Sequence, residues 1–147
     1  MMLLFYHSSS AQQTNSKQMD TLNNQIILIT TMQIKEGNLE KVKEALKKSV
    51  EFAKEKGPQL MVQVFVDDKK MQINSIQLHR NSESIIDHWK LSDAYIEGVM
   101  QYITMKRVDV YGLPNKIIIQ RLDKLAENGC VVSVMPFFTG YSHLLEK

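Results

Sequence analysis

Between Gln25 and Tyr111 the apolar residues alternate, change to helical spacing, alternate twice more, return to helical spacing and end in a short apolar run. A period of two marks strands and a period near 3.6 marks helices, so the order predicts strand, helix, strand, strand, helix, strand. That is the β-α-β-β-α-β unit of a ferredoxin-like α+β fold. A sheet of this kind is often covered by helices on one face, and its other face then needs a partner.

The first strand is predicted over Gln25–Lys35. Ile27, Ile29 and Thr31 share one side and Ile26, Leu28, Thr30 and Met32 the other, a largely apolar pair of faces that implies cover on both. Gly37-Asn38 breaks it. Leu39–Lys56 reads as an amphipathic helix with Leu39, Val42, Leu46 and Ala53 on its apolar stripe. Gly57-Pro58 ends that helix, with glycine expected to supply a left-handed cap. Leu60–Val66 and Met71–Arg80 form a hairpin around Asp67–Lys70. In its second arm Ile73, Ser75, Gln77 and His79 share a face, a mixture that fits a wet cavity, a polar-centred interface or an edge strand partly in water.

Asn81-Ser82 caps a second helix reaching to about Met105, with Ile85, Trp89, Ile96, Val99 and Ile103 on its buried side. Arg107–Tyr111 completes the unit. Beyond it, Pro114 opens a helix carrying Ile117, Ile118, Leu122 and Leu125, Asn128-Gly129 stops it, and Cys130–Met135 is a further strand. Three segments result: a flexible tail at 1–24, the ferredoxin-like domain at 25–111, and a C-terminal α-β extension at 112–147 packed on the same domain. The tail is assigned from His7–Asn24, rich in Ser, Gln, Asn and Thr, which cannot bury enough surface to offset the entropy of ordering. Met19 offers an alternative translation start for the first eighteen residues.

Composition narrows the partners. A net charge of +2, with bases and acids interleaved, argues against nucleic acid. The one cysteine, Cys130, suits a reducing cytoplasm. No stretch approaches the roughly 20 apolar residues of a membrane span. The apolar start Met1–Tyr6 lacks the basic flank of an export signal, so a cytoplasmic protein is expected.

Candidate chemistry gathers on the second helix. His88, Ser92 and Tyr95 fall on one stripe, with Trp89 adjoining. Such a group can line a pocket for a flat aromatic ligand, through stacking rings and polar contacts. It can equally be ordinary core with a surface histidine. His79 and His88 lack the further ligands of a metal site, no cofactor motif is present, and Cys130 reads as a buried inert thiol. His143 and the pair Asp67-Asp68 read as surface groups.

The element order, the Lys35-Glu36-Gly37 turn and Trp89-x-x-Ser92-x-x-Tyr95 resemble the dimeric α/β-barrel superfamily, specifically its antibiotic-biosynthesis-monooxygenase type. The resemblance implies a homodimer whose two sheets close into a barrel. It implies a cofactor-independent monooxygenase acting on, or binding, a small aromatic molecule of quinol or polyphenol type. A non-catalytic ligand-binding or structural dimer is the other reading. In that frame His88 is the candidate catalytic base, Trp89 and Tyr95 are pocket walls, and Ser92 and Thr30 orient the substrate. The haem-degrading branch of the superfamily looks different: Thr30 stands near its asparagine and Val99 at its histidine, and valine cannot ligate iron. The ending Phe137-Phe138-Thr139-Gly140-Tyr141 resembles that of some family members of unknown chemistry.

Overall fold

The computed structural model describes residues 20–142, with the backbone alone given for 93–97. Its elements are β1 (Ile26–Ile34), α1 (Leu39–Lys56), β2 (Met61–Asp67), β3 (Gln72–His79), α2 (Ser82–Met100), β4 (Ile103–Tyr111), α3 (Lys116–Glu127) and β5 (Val131–Met135). They build one five-stranded sheet in the order β2-β3-β1-β4-β5. β1 pairs antiparallel with β3 on one side and β4 on the other, and β2 pairs antiparallel with β3. β5 adds to β4 in parallel, a pairing that needs a crossover, and α3 is that crossover. The fold is the expected ferredoxin-like α+β unit carrying its C-terminal α-β extension.

α1, α2 and α3 cover the same face. Ile85 of α2 and Ile118 and Leu122 of α3 pack with Ile26, Leu28, Val108, Val110 and Cys130 in one apolar cluster. Val42 of α1 and Val99 of α2 join Met32, Ile34, Ile73 and Ile103 in a second. The opposite face carries cross-strand rows of graded character. Met61, Leu78, Ile27, Tyr111 and Met135 form an apolar row across all five strands. Four residues along, Phe65 and Val131 flank a polar centre of Asn74, Thr31 and Arg107. Within this chain the second face of β1 is therefore open, and Ile27 is 38% exposed.

Most predicted boundaries lie within a residue or two of the observed ones. The exception is the junction of α2 and β4. Helical spacing of Val99 and Ile103 extends the helix to Met105, but α2 ends at Met100 and β4 begins at Ile103. Ile103 instead pairs with Ile34, so β4 runs along the whole of β1, with a bulge at Thr31/Met32. An apolar pair four apart fits either period, and strand pairing decides it. Residues 20–24 of the expected tail are helical, ending where the Gln25 amide reaches the Thr21 and Leu22 carbonyls, and 1–19 lie outside the described residues.

Gly57 differs from its predicted role. Its backbone is extended (φ −78°, ψ 150°), so no left-handed cap forms. Glycine is needed for space: a Cβ there would meet the Ala53 carbonyl oxygen at 2.6 Å and Gln59 Oε1 at 2.2 Å. Gly112 needs both freedoms. Its φ is +128°, and a Cβ would lie 2.7 Å from the Gln25 carbonyl oxygen. Gly112→Ala should lower the unfolding free energy by about 2 kcal/mol or more in urea titration. Gly98→Ala, inside α2 with open space around the new methyl, should raise it by up to about 1 kcal/mol.

Candidate functional site

β3 turns Ile73, Ser75, Gln77 and His79 toward the helices, and the last three are polar. β3 is an interior strand, between β2 and β1, so the edge-strand alternative for this mixed face does not apply. Ser75 and His79 are buried, His79 completely. Thr30 joins them from β1 as the cross-strand neighbour of Ser75. α2 answers with Ser84, His88 and Ser92, four residues apart and so on one helical stripe. The result is a polar seam between the two apolar clusters: Leu28 and Ile85 lie on one side, Met32 and Val99 on the other.

Hydrogen bonds run along the seam. His79 Nε2 lies 3.1 Å from Gln77 Oε1. His79 Nδ1 lies 3.1 Å from Ser84 Oγ, whose own proton goes to the Asn81 carbonyl oxygen at 3.2 Å. Gln77 continues the chain by donating to Ser75 Oγ at 3.5 Å. His88 stands beside His79 with ring centroids 5.8 Å apart. His88 Nδ1 lies 2.8 Å from Ser92 Oγ and 2.5 Å from the side-chain amide of Gln59. Gln59 comes from the short α1–β2 connection, turned inward after Gly57-Pro58.

Burial, and secondarily the neighbouring His88, push the His79 imidazole down from 6.5 to about 4, against an opposing hydrogen bond to the Ser84 backbone. His79 is therefore neutral near pH 7. Burial likewise raises the Cys130 thiol, which leaves it a poor nucleophile.

The predicted site residues divide. His88 and Ser92 meet directly, and Thr30 lies on the same side of the sheet across from Ser75. Trp89 turns to the first apolar cluster, where the Arg121 guanidinium of α3 lies 4.3 Å from its ring centre. The Tyr95 side chain lies outside the described residues, as does His143. Two surface concavities are described, and none of His88, Trp89, Ser92 or Thr30 lines either. One, of about 510 Å³, lies between the starts of α2 and α3 and includes Asn81, Ser82, Asn115 and Phe137. The other, about 840 Å³, lies between α1 and β2 over Leu46, Val50, Val64 and Val66. Gln59, Gln77 and Ser84 escaped sequence reasoning. The strand alternation carried a signal for Gln77, but nothing periodic marks Gln59. Among the described residues no helix is long and apolar enough to cross a membrane, and no group of three or more His, Cys, Asp or Glu could hold a metal ion.

The seam makes stability depend on pH. Unfolded, His79 takes up a proton near its ordinary 6.5, whereas folded it resists protonation until about 4. The unfolded chain thus binds more protons in this window, and stability rises with pH. Its contribution is complete above about 6.5 and is lost as pH falls toward 4, an effect of about 3 kcal/mol. Urea titrations between pH 7.5 and 4 should show that loss, and His79→Gln should remove its share of the slope.

No family model matches the chain, and no curated protein does. Solved structures do. MupZ from Pseudomonas fluorescens superposes with a TM-score of 0.66 at 14% identity, over 82% of this chain and 96% of that one. The unit from β1 to β4 is less than two thirds of this chain, so that likeness reaches into the extension. A protein named putative antibiotic biosynthesis monooxygenase, from Nitrosomonas europaea, matches with a TM-score of 0.55 at 12% identity, over 62% of this chain and 91% of its own. Another of that name, from Bacteroides thetaiotaomicron, gives 0.53 at 14% identity, over 63% and 90%. At such identities the likeness is one of fold, and the chain folds as these antibiotic-biosynthesis-monooxygenase-like proteins do.

Proposed function

We propose that the protein is a homodimeric, cofactor-independent monooxygenase of a small aromatic hydroquinone, with His88 as the base. One observation carries the reading: His88 is held by Gln59 and Ser92 in a polar seam, next to a histidine that burial keeps neutral. A neutral neighbour leaves His88 to take the phenolic proton, and a low-dielectric site favours reaction of the phenolate over loss to water. The substrate supplies the electrons. A hydroquinone and O2 give a hydroxyquinone and water: one oxygen atom forms a bond to a ring carbon, the O–O bond breaks, and the other oxygen leaves with two protons. Ser92 and Thr30 orient the substrate.

An oxygen electrode should record one O2 consumed per hydroquinone. His88→Ala should lower the rate by about 10²–10⁴-fold, the usual contribution of a general base. No turnover across a panel of quinols and polyphenols would sink this reading.

A second reading, a binding or structural dimer without catalysis, is favoured by Trp89. Its ring packs in the core under Arg121, as a stabilising residue does. It expects Trp89→Ala to cost about 3 kcal/mol of stability, with no aromatic ligand raising the melting temperature. A ligand-dependent rise would favour the enzyme.

The dimer is supported by the uncovered apolar row on the open face of the sheet. A second copy would cover it, giving the two-sheet barrel. Gel filtration should give twice the chain mass. Ile27→Glu, in the middle of that row, should give a folded monomer.

A further inference from the structure

We infer that Gln59 is a positioning residue that fixes His88 as the tautomer protonated on Nδ1, leaving Nε2 as its proton-accepting nitrogen. The argument is one of hydrogen-bond capacity. As placed, the amide nitrogen of Gln59 faces His88 Nδ1, with Ser92 Oγ also within bonding distance of that ring nitrogen. An imidazole nitrogen without a proton has a single in-plane lone pair, which the amide N–H and the serine hydroxyl would then share. The other end of the amide fares worse. Gln59 Oε1 is buried and has no hydrogen-bond partner among the described residues. It crowds the same side of Gly57 as the Ala53 carbonyl, another acceptor.

Exchanging the two ends of the amide gives the orphaned oxygen a donor. The oxygen and nitrogen of a carboxamide are told apart by the partners around them. With Oε1 toward His88, it accepts a hydrogen bond from Nδ1–H, and Ser92 Oγ supplies a second acceptor. The amide NH2 then points to the neighbourhood of the Ala53 carbonyl, which has a lone pair to spare beside its bond from the Gly57 amide. Gln59 Oε1 gains a partner, and the proton on His88 is assigned to Nδ1. A histidine's second nitrogen commonly sets its tautomer in this way.

This rests on the reading of His88 as a base, because it names the atom that would accept the proton. It also explains two local features together. Gly57 is extended and without a Cβ because the Gln59 amide fills that space. Pro58 stiffens the connection from which Gln59 reaches in.

The test reads the tautomer directly and needs no substrate. Nitrogen-15 spectra of the full chain above pH 7, with His88 assigned by its loss in His88→Ala, should show Nδ1 protonated and Nε2 not. Gln59→Leu removes the acceptor and should shift the proton to Nε2, the form imidazole prefers in water. Gln59→Glu restores an acceptor and should return the proton to Nδ1, which separates positioning from simple loss of packing. An Nε2-protonated His88 in the unaltered protein, or a tautomer indifferent to all three side chains, would overturn the inference. Oxygen consumption is a separate measurement: its absence with the tautomer as stated counts against the monooxygenase, and its presence with the opposite tautomer counts against Gln59.

Discussion

The helix-covered face of β3 sets the terms for the rest of the molecule. Ser75, Gln77 and His79 point into an interior from which water is largely excluded, and buried polar groups without partners are costly. They hold one another in a chain, and α2 must supply what they lack. It does so with Ser84 against His79, while His88 comes alongside and Ser92 follows one turn on. Hydrophobic burial alone would tolerate sliding of a helix over an apolar sheet. A seam of directional bonds does not, because a shift by one turn would leave His79 facing no hydroxyl. The two apolar clusters on either side supply the free energy, and the seam between them fixes the register.

This division of labour explains what could be read in the sequence. Element order, the helix bounds of α1, the N-cap at Asn81 and the strand following Gly129 all follow from period and punctuation, which are local. Asn81 accepts from the Ser84 amide at 3.0 Å, as a capping residue should. The candidate site was legible in half. His88 and Ser92 are four apart on a helix, and that spacing alone brings them to 2.8 Å. His79, Gln77 and Gln59 reach the same place from two other segments, and only tertiary packing brings those together. Trp89 adjoins His88 in sequence, yet neighbouring helix residues diverge by about 100°. Its ring belongs to the cluster under α3, an element whose docking could not be read from α2.

The extension has a structural consequence for the open face. β5 lengthens the sheet from four strands to five, so the apolar row through Leu78, Ile27 and Tyr111 continues to Met135. Farther along the strands the surface becomes polar, and there Arg107 and Asp109 of β4 pair through two bonds of 2.6 and 2.7 Å. That pair occupies each other's charge, so a covering surface need not supply a countercharge. A wider sheet with an apolar band at one end and a self-paired polar zone at the other is oriented. A two-fold partner would have to match band with band to avoid burying Asn74 or Arg107 against apolar surface.

α3 contributes on the other face. Ile118 and Leu122 close the first cluster over Ile26 and Val110, while Arg121 caps the outer side of Trp89. α2 is thereby gripped from two directions, by α3 at its Trp89 turn and by the seam at His79. The interval between those grips contains His88. A side chain whose helix is pinned on both flanks, and whose Nδ1 is engaged by two neighbours, has little freedom to reorient. Under the proposed function, holding His88 in advance of a substrate would lower the cost of reaching a reactive geometry, since that ordering has already been met by folding. The extension and the polar seam thus act on the same few residues from opposite sides, one through packing and the other through hydrogen bonds.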